Sequence, residues 1–124
     1  LKDTTDKKFI IILDDLRGAD ILDRYLFLNN KLPNYDDLNK LEQNFYTNSR
    51  NFEKKNIKEL KDQFDLFNVK YLTRSELYCD YNKKRCPLMV KKDKLYSDYG
   101  HITDNGAMFF SSRGNMIIKN LLNN

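Results

Sequence analysis

Phe9-Ile10-Ile11-Ile12-Leu13, preceded by Lys7-Lys8 and followed by Asp14-Asp15, is the longest apolar run in the chain. A short run rich in β-branched residues and bounded by charge reads as a strand buried on both faces. Such strands belong to parallel sheets covered by helices. Outward from it, a loop and a short helix are expected through Gly18 to Leu32, closing at Pro33. From Asp36 or Asp37 the period changes. Leu38, Leu41, Phe45, Phe52, Leu60, Phe64 and Phe67 recur mostly at three, four or seven, the spacing of a helical stripe. Lys40, Glu42, Arg50, Lys54, Lys58 and Lys61 are assigned to the opposite face. This predicts one long helix, or two separated near Asn48 to Asn51, with the aromatic stripe as core.

Asn68-Val69-Lys70-Tyr71-Leu72 is the second candidate strand, and Thr73 is placed to cap a short helical turn through Leu77. A helix between two apolar strands is the βαβ signature, which makes the second strand parallel to the first. Cys79 to Tyr96 reads as a small hairpin excursion, turning near Asn82 and again near Lys92-Asp93. Thr103 would cap a last helix whose inner face holds Ala107, Phe110, Ile117 and Leu121. The expected class is therefore α/β with a mainly parallel sheet.

At 124 residues the chain has room for one modest domain. Charged residues reach 32%, yet an aromatic content of 13% is too rich for plain disorder, and 4 Gly with 2 Pro exclude collagen-like or linker composition. Five apolar residues in a row are too few to cross a bilayer, and no leader with a cleavage site opens the chain. Because it starts at Leu1 rather than Met, it reads as a piece of something longer. The net charge of +4 is spread among acids rather than gathered on one face, so no nucleic-acid partner is expected.

Cys79 and Cys86 enclose six polar, turn-prone residues. A zinc site needs about four ligands, and a thioredoxin-type pair is spaced by two residues, so neither a metal nor a redox motif is read here. Two cysteines flanking such a loop can meet across a hairpin in a disulfide; two reduced thiols are the other reading. His101 is the single histidine. It lies in Tyr96-Ser97-Asp98-Tyr99-Gly100-His101-Ile102-Thr103, where a carboxylate three residues before the ring can curl round to Nδ1. That would leave Nε2 facing outward as a general base; a loop histidine with a chance aspartate nearby is the other reading, and spacing alone leans towards it.

Cys79…Cys86-Pro87, then Leu95-Tyr96 and Asp98-Tyr99-Gly100-His101-Ile102-Thr103-x-x-Gly106-Ala107, resembles the last block of the SGNH (GDSL-like) hydrolases. The likeness is greatest to the SGNH domain fused to membrane acyltransferase-3 proteins. Only Cys79 to Ala107 is specific, although the order of elements matches over most of the chain. The resemblance implies a three-layer, flavodoxin-like α/β fold, a Cys79–Cys86 disulfide and no cofactor or metal. It also implies an O-acyltransferase, typically an O-acetyltransferase, acting on hydroxyls of bacterial surface polysaccharide outside the cytoplasm, at the periplasm or cell surface. His101 would be the general base of a Ser–His–Asp triad and Asp98 its orienting carboxylate. The partners implied are an acyl donor, a glycan acceptor and an upstream integral-membrane domain.

The family's Gly-Asp-Ser nucleophile block and its oxyanion-hole Gly and Asn blocks are not found here. Residues 1–124 are thus expected to be the C-terminal portion of one SGNH domain, inactive alone, with exposed apolar surface. Two other readings follow from the same residues. One is a carbohydrate or lipid esterase. The other is a non-catalytic glycan-binding remnant, with Tyr78, Tyr81, Tyr96 and Tyr99 stacking on sugars.

Overall fold

The computed structural model describes residues 9–98 and 100–123. The described residues are mixed α/β and 57% helical. In order, it runs β1 (Ile11–Leu13), α1 (Ile21–Asn29), α2 (Tyr35–Asn56), α3 (Lys58–Leu66), β2 (Tyr71–Thr73), α4 (Arg74–Tyr78), β3 (Met89–Val90), β4 (Asp93–Lys94) and α5 (Asp104–Asn123). β1 and β2 pair in parallel, Ile12 opposite Leu72, and β3 and β4 form a separate antiparallel pair. The parallel crossover is as read from the sequence. The sheet is smaller than expected: one parallel pair rather than an extended layer.

That size decides the environment of the apolar run. β1 has β2 as its one strand neighbour among the described residues. Leu13 is buried, while Phe9 is 74% and Ile12 48% exposed, so the expectation of a strand covered on both faces is corrected. A strand loses water from both faces only where layers cover both, and here one side stays open.

The caps explain the helix boundaries. Asn34 accepts from the Asp37 backbone N–H at 2.8 Å at the start of α2, with Asp36 and Asp37 in the first turn and Lys54 and Lys55 in the last. Those charges complement the helix dipole. The interruption falls at Ile57, and α2 runs straight through Asn48 to Asn51. The stripe weakens there because α2 buries a polar side chain at that turn: Ser49 Oγ accepts from the Arg17 N–H at 3.0 Å. Glu42 and Glu53 are buried on the same face, so placing Glu42 outward was wrong. Glu42 accepts from the Leu88 N–H at 2.8 Å, and Glu53 is held by Arg50 and by Lys61. Beyond Ile57 the stripe loses its cover. Phe64 packs on Tyr71 with ring centroids 5.8 Å apart, but Leu60 and Phe67 are exposed.

Thr73 caps α4 by accepting from the Glu76 N–H, and Thr103 caps α5 by accepting from the Gly106 N–H at 3.0 Å. The inner face of α5 is Gly106 and Phe110, with Ile117 and Leu121 half-buried; Ala107, expected inside, is exposed. Gly106 is required by close approach, since a Cβ there would clash with the Leu95 carbonyl oxygen. Asp80 and Arg85 exchange backbone hydrogen bonds across the expected turn, and Cys79 and Cys86 are joined in a disulfide. Both half-cystines are fully buried in a core with Leu16, Leu22, Phe45, Leu88, Leu95, Tyr96 and Phe110. Phe45 meets Tyr96 edge-on at 5.4 Å.

Candidate active site

Parallel strands deliver the segments that follow them to one end of the sheet, where open α/β folds build their clefts. Asp14-Asp15-Leu16-Arg17-Gly18 leaves β1 at that end, and Arg74 opens α4 directly after β2. The third contribution is the bend between β4 and α5. It is pinned at its base by the Thr103 N–H to the Leu95 carbonyl at 3.0 Å, by Thr103 Oγ1 to the Lys94 carbonyl at 2.7 Å, and by the Ser97 N–H to the His101 carbonyl at 2.8 Å.

Within this bend Asp98 folds back on the chain. Its Oδ1 accepts from the backbone N–H of Gly100 at 3.1 Å and of His101 at 2.9 Å, a local turn that short carboxylates favour. The His101 ring then meets the carboxylate, Nδ1 lying 2.7 Å from Oδ2 and 2.9 Å from Oδ1. The hydrogen bond from the ring, followed by the two backbone N–H groups, holds the Asp98 carboxyl down at about 2. It is therefore a carboxylate near neutral pH and only accepts, which makes Nδ1–H the donor and, in the neutral ring, puts the lone pair on Nε2. The sign follows from a depressed acid. The pairing's support of the bend is complete above the usual 3.8 and is lost as the pH falls through about 2.

The ring is 85% and the carboxylate 45% exposed. They border a cleft of about 460 Å³ whose other walls are Asp14, Leu16, Arg17, Gly18, Arg74 and Gly100. Asp98 also lines a neighbouring, mostly apolar cavity of about 560 Å³ with Phe27 and Leu28 of α1. The two residues read from the sequence are thus in contact at a cleft.

Of the serines, Ser97 Oγ donates to the His101 backbone carbonyl rather than to its ring, and Ser111 Oγ donates to the Met108 carbonyl. Ser49 and Ser75 are buried elsewhere, and no serine hydroxyl bonds the His101 ring among the described residues. Tyr96 is buried in the core, which removes it from any sugar-stacking surface; Tyr78 packs on Phe110 at 4.6 Å, and Tyr99 lies outside the described residues.

Sequence reasoning treated Asp14-Asp15 only as the boundary of a strand. The structure gives each a separate role. Asp14 stays at the cleft, within 3.3 Å of Arg74 Nη1 and 3.6 Å of Arg17 Nη1. Asp15 turns inward, fully buried, and accepts from the Ser75 N–H at 2.8 Å and the Ser75 hydroxyl at 2.5 Å. Burial raises its pKa against those hydrogen bonds. The Ser75 hydroxyl also meets the Tyr81 hydroxyl at 2.5 Å, and Arg50 donates to Tyr81 at 3.1 Å, tying α2, α4 and the disulfide loop together. The position of two acids at the end of a parallel strand was the available signal. Compared with protein-family models, curated proteins and solved structures, the chain finds no match in any of the three.

Proposed function

We propose that this chain carries the histidine–aspartate arm of an O-acyltransferase, acting outside the cytoplasm on hydroxyls of a surface polysaccharide. The observation that supports this most is the Nδ1–H contact with an ionised carboxylate 2.7 Å away at the mouth of a cleft. It leaves Nε2 free to take a proton. The buried disulfide fits an oxidising compartment, and the Cys79 to Ala107 block resembles the acyltransferase-3-fused SGNH domains.

In the proposed chemistry, a serine outside these 124 residues gives its proton to Nε2 and attacks the acyl carbonyl, and the donor's leaving group takes that proton as it departs. A glycan hydroxyl then attacks the acyl-serine. Nε2 accepts its proton and returns it to the serine oxygen. Asp98 stays ionised throughout and stabilises each imidazolium. The nucleophile, the oxyanion donors and a membrane domain that supplies acyl groups belong to other parts of the intact protein.

The test is acetate-ester content of the surface glycan, measured by mass spectrometry in cells expressing the intact protein. His101→Ala is expected to abolish it and Asp98→Asn to slow its formation by about 10⁴-fold, as loss of an orienting carboxylate does to kcat. Unchanged acylation with His101→Ala overturns the reading. The isolated chain should release no acetate. The exposure of His101 favours a second reading, an esterase with water as acceptor, which predicts free acetate without acylated glycan.

A further inference from the structure

One peptide group lies at the centre of the bend: the carbonyl of Gly100 and the N–H of His101. Because the group is planar and trans, its C=O and N–H point in opposite directions, and fixing both ends fixes the plane. The N–H is held by Asp98 Oδ1 at 2.9 Å. The carbonyl is held by Arg74 Nη2 at 2.5 Å, across 26 positions of sequence. We propose that Arg74 is the positioning residue of the site, gripping this peptide from the side opposite Asp98 so that the His101 ring stays in register with the carboxylate. This rests on the reading of Asp98 and His101 as the acyl-transfer pair.

Three features fix the guanidinium in turn. Its backbone is the first residue of α4, set by the Thr73 cap at the end of β2. Nη1 lies 3.3 Å from Asp14 Oδ1 at the end of β1. The guanidinium carbon sits 5.4 Å from the Tyr78 ring centroid. The parallel pairing of β1 with β2 therefore reaches the bend through the Arg74 side chain. A planar fork with several donors can bond Asp14 and Gly100 at once, which an ammonium cannot do with the same geometry. A charged donor on the carbonyl also polarises the peptide and strengthens the N–H bond to Asp98. Gly100 is part of the fit, since a Cβ there would stand 3.2 Å from Arg74 Nη1.

Arg74 makes no direct bond to Asp98 or to the ring, and because loss of its charge alone raises a nearby carboxylate's midpoint, the Nδ1–H tautomer is the signal that reports the bend itself. The experiment is NMR on the 124-residue chain. The Asp98 carboxyl carbon is followed through an acid titration, and the His101 ring nitrogens are read for the Nδ1–H tautomer. In the parent chain the midpoint should lie at about 2. In Arg74→Gln it should rise by about one unit toward the usual 3.8, with loss of the single-tautomer signature. Arg74→Lys should restore part of both.

In the intact transferase Arg74→Gln should lower kcat by about 10- to 100-fold with KM little changed, the effect of a misplaced catalytic group. An unmoved midpoint and tautomer in folded Arg74→Gln overturn the proposal, as does a Lys variant no better than Gln. If Arg74→Gln does not fold, Asp14→Ala, at an exposed position on the far side of the guanidinium, must shift the same two signals in the same direction, and their constancy overturns it. Retained acylation in His101→Ala would instead sink the acyl-transfer reading, while the NMR result on the bend would stand.

Discussion

The β1 run is the longest apolar stretch of the chain and the disulfide region is rich in lysine, yet it is the disulfide region that the fold buries. From Cys79 to Tyr96, Leu88, Leu95 and Tyr96 are buried with both half-cystines, and α2 and α5 close over them through Phe45 and Phe110. Around β1, Phe9 and Ile12 remain open, and Phe27 and Leu28 of α1 and Leu66 and Phe67 at the end of α3 are exposed as well. The difference lies in how each region obtains cover. The loop region folds back on itself through a covalent link, a hairpin and a buried acid that collects its backbone: Glu42 accepts from the Leu88 N–H, and its carbonyl accepts from the Cys86 N–H. A three-residue strand has no such local means and depends on neighbouring strands and helices for burial. The site is built where the two regions meet, with its pair on the well-packed side and its Asp14 and Arg17 walls on the open side.

Substitutions can break or sharpen this contrast. The largest effect is expected for Phe45→Ala, at the centre of the packed region, which should cost about 3–5 kcal/mol in urea unfolding. A cost under about 1 kcal/mol would mean that the core is not where the structure places it. Replacing Cys79 and Cys86 by Ser should remove about 2–3 kcal/mol, since the bond closes a small ring; the same loss should appear when the parent chain is unfolded with and without reductant. Gly106→Ala drives a methyl into the Leu95 carbonyl and should cost about 1–3 kcal/mol by the same assay, with α5 displaced from β4. The smallest effect belongs to the open region: Ile12→Ser should change the stability of this chain by less than about 0.5–1 kcal/mol. If it costs as much as Phe45→Ala, the two regions are not different in kind.

Much of the fold was legible because local patterns carried it. The two short strands, their parallel relation, the caps at Thr73 and Thr103 and the turn near Asn82 follow from runs, spacings and single polar residues that act on their immediate neighbours, whereas the cysteine spacing allowed the disulfide without deciding it. The errors share one cause. Apolar periodicity assumes that buried means apolar, so it turned Glu42 outward and left a break near Asn48 to Asn51 as one of two readings, where in fact the helix is continuous and buries polar groups that have partners from distant segments. It also assumed cover for every apolar residue, which failed for Ile12, Leu60 and Phe67. For the site, the spacing of Asp98 and His101 allowed a contact without deciding it, and the resemblance of the surrounding block made them the candidate pair; in the fold they touch.

What the amino-acid sequence determined, then, is whatever a few consecutive residues can enforce: the strand runs, the helix starts, the cysteine loop and the carboxylate folded onto its imidazole. What only the tertiary structure decided is which of two adjacent acids, Asp14 and Asp15, faces the cleft and which the core, and that Arg74 grips a peptide 26 residues away. Hydrogen bonds and helix caps act over one turn of chain and leave a pattern there. Burial and long-range charge pairing depend on which surfaces meet after the chain has closed, and no local pattern records that.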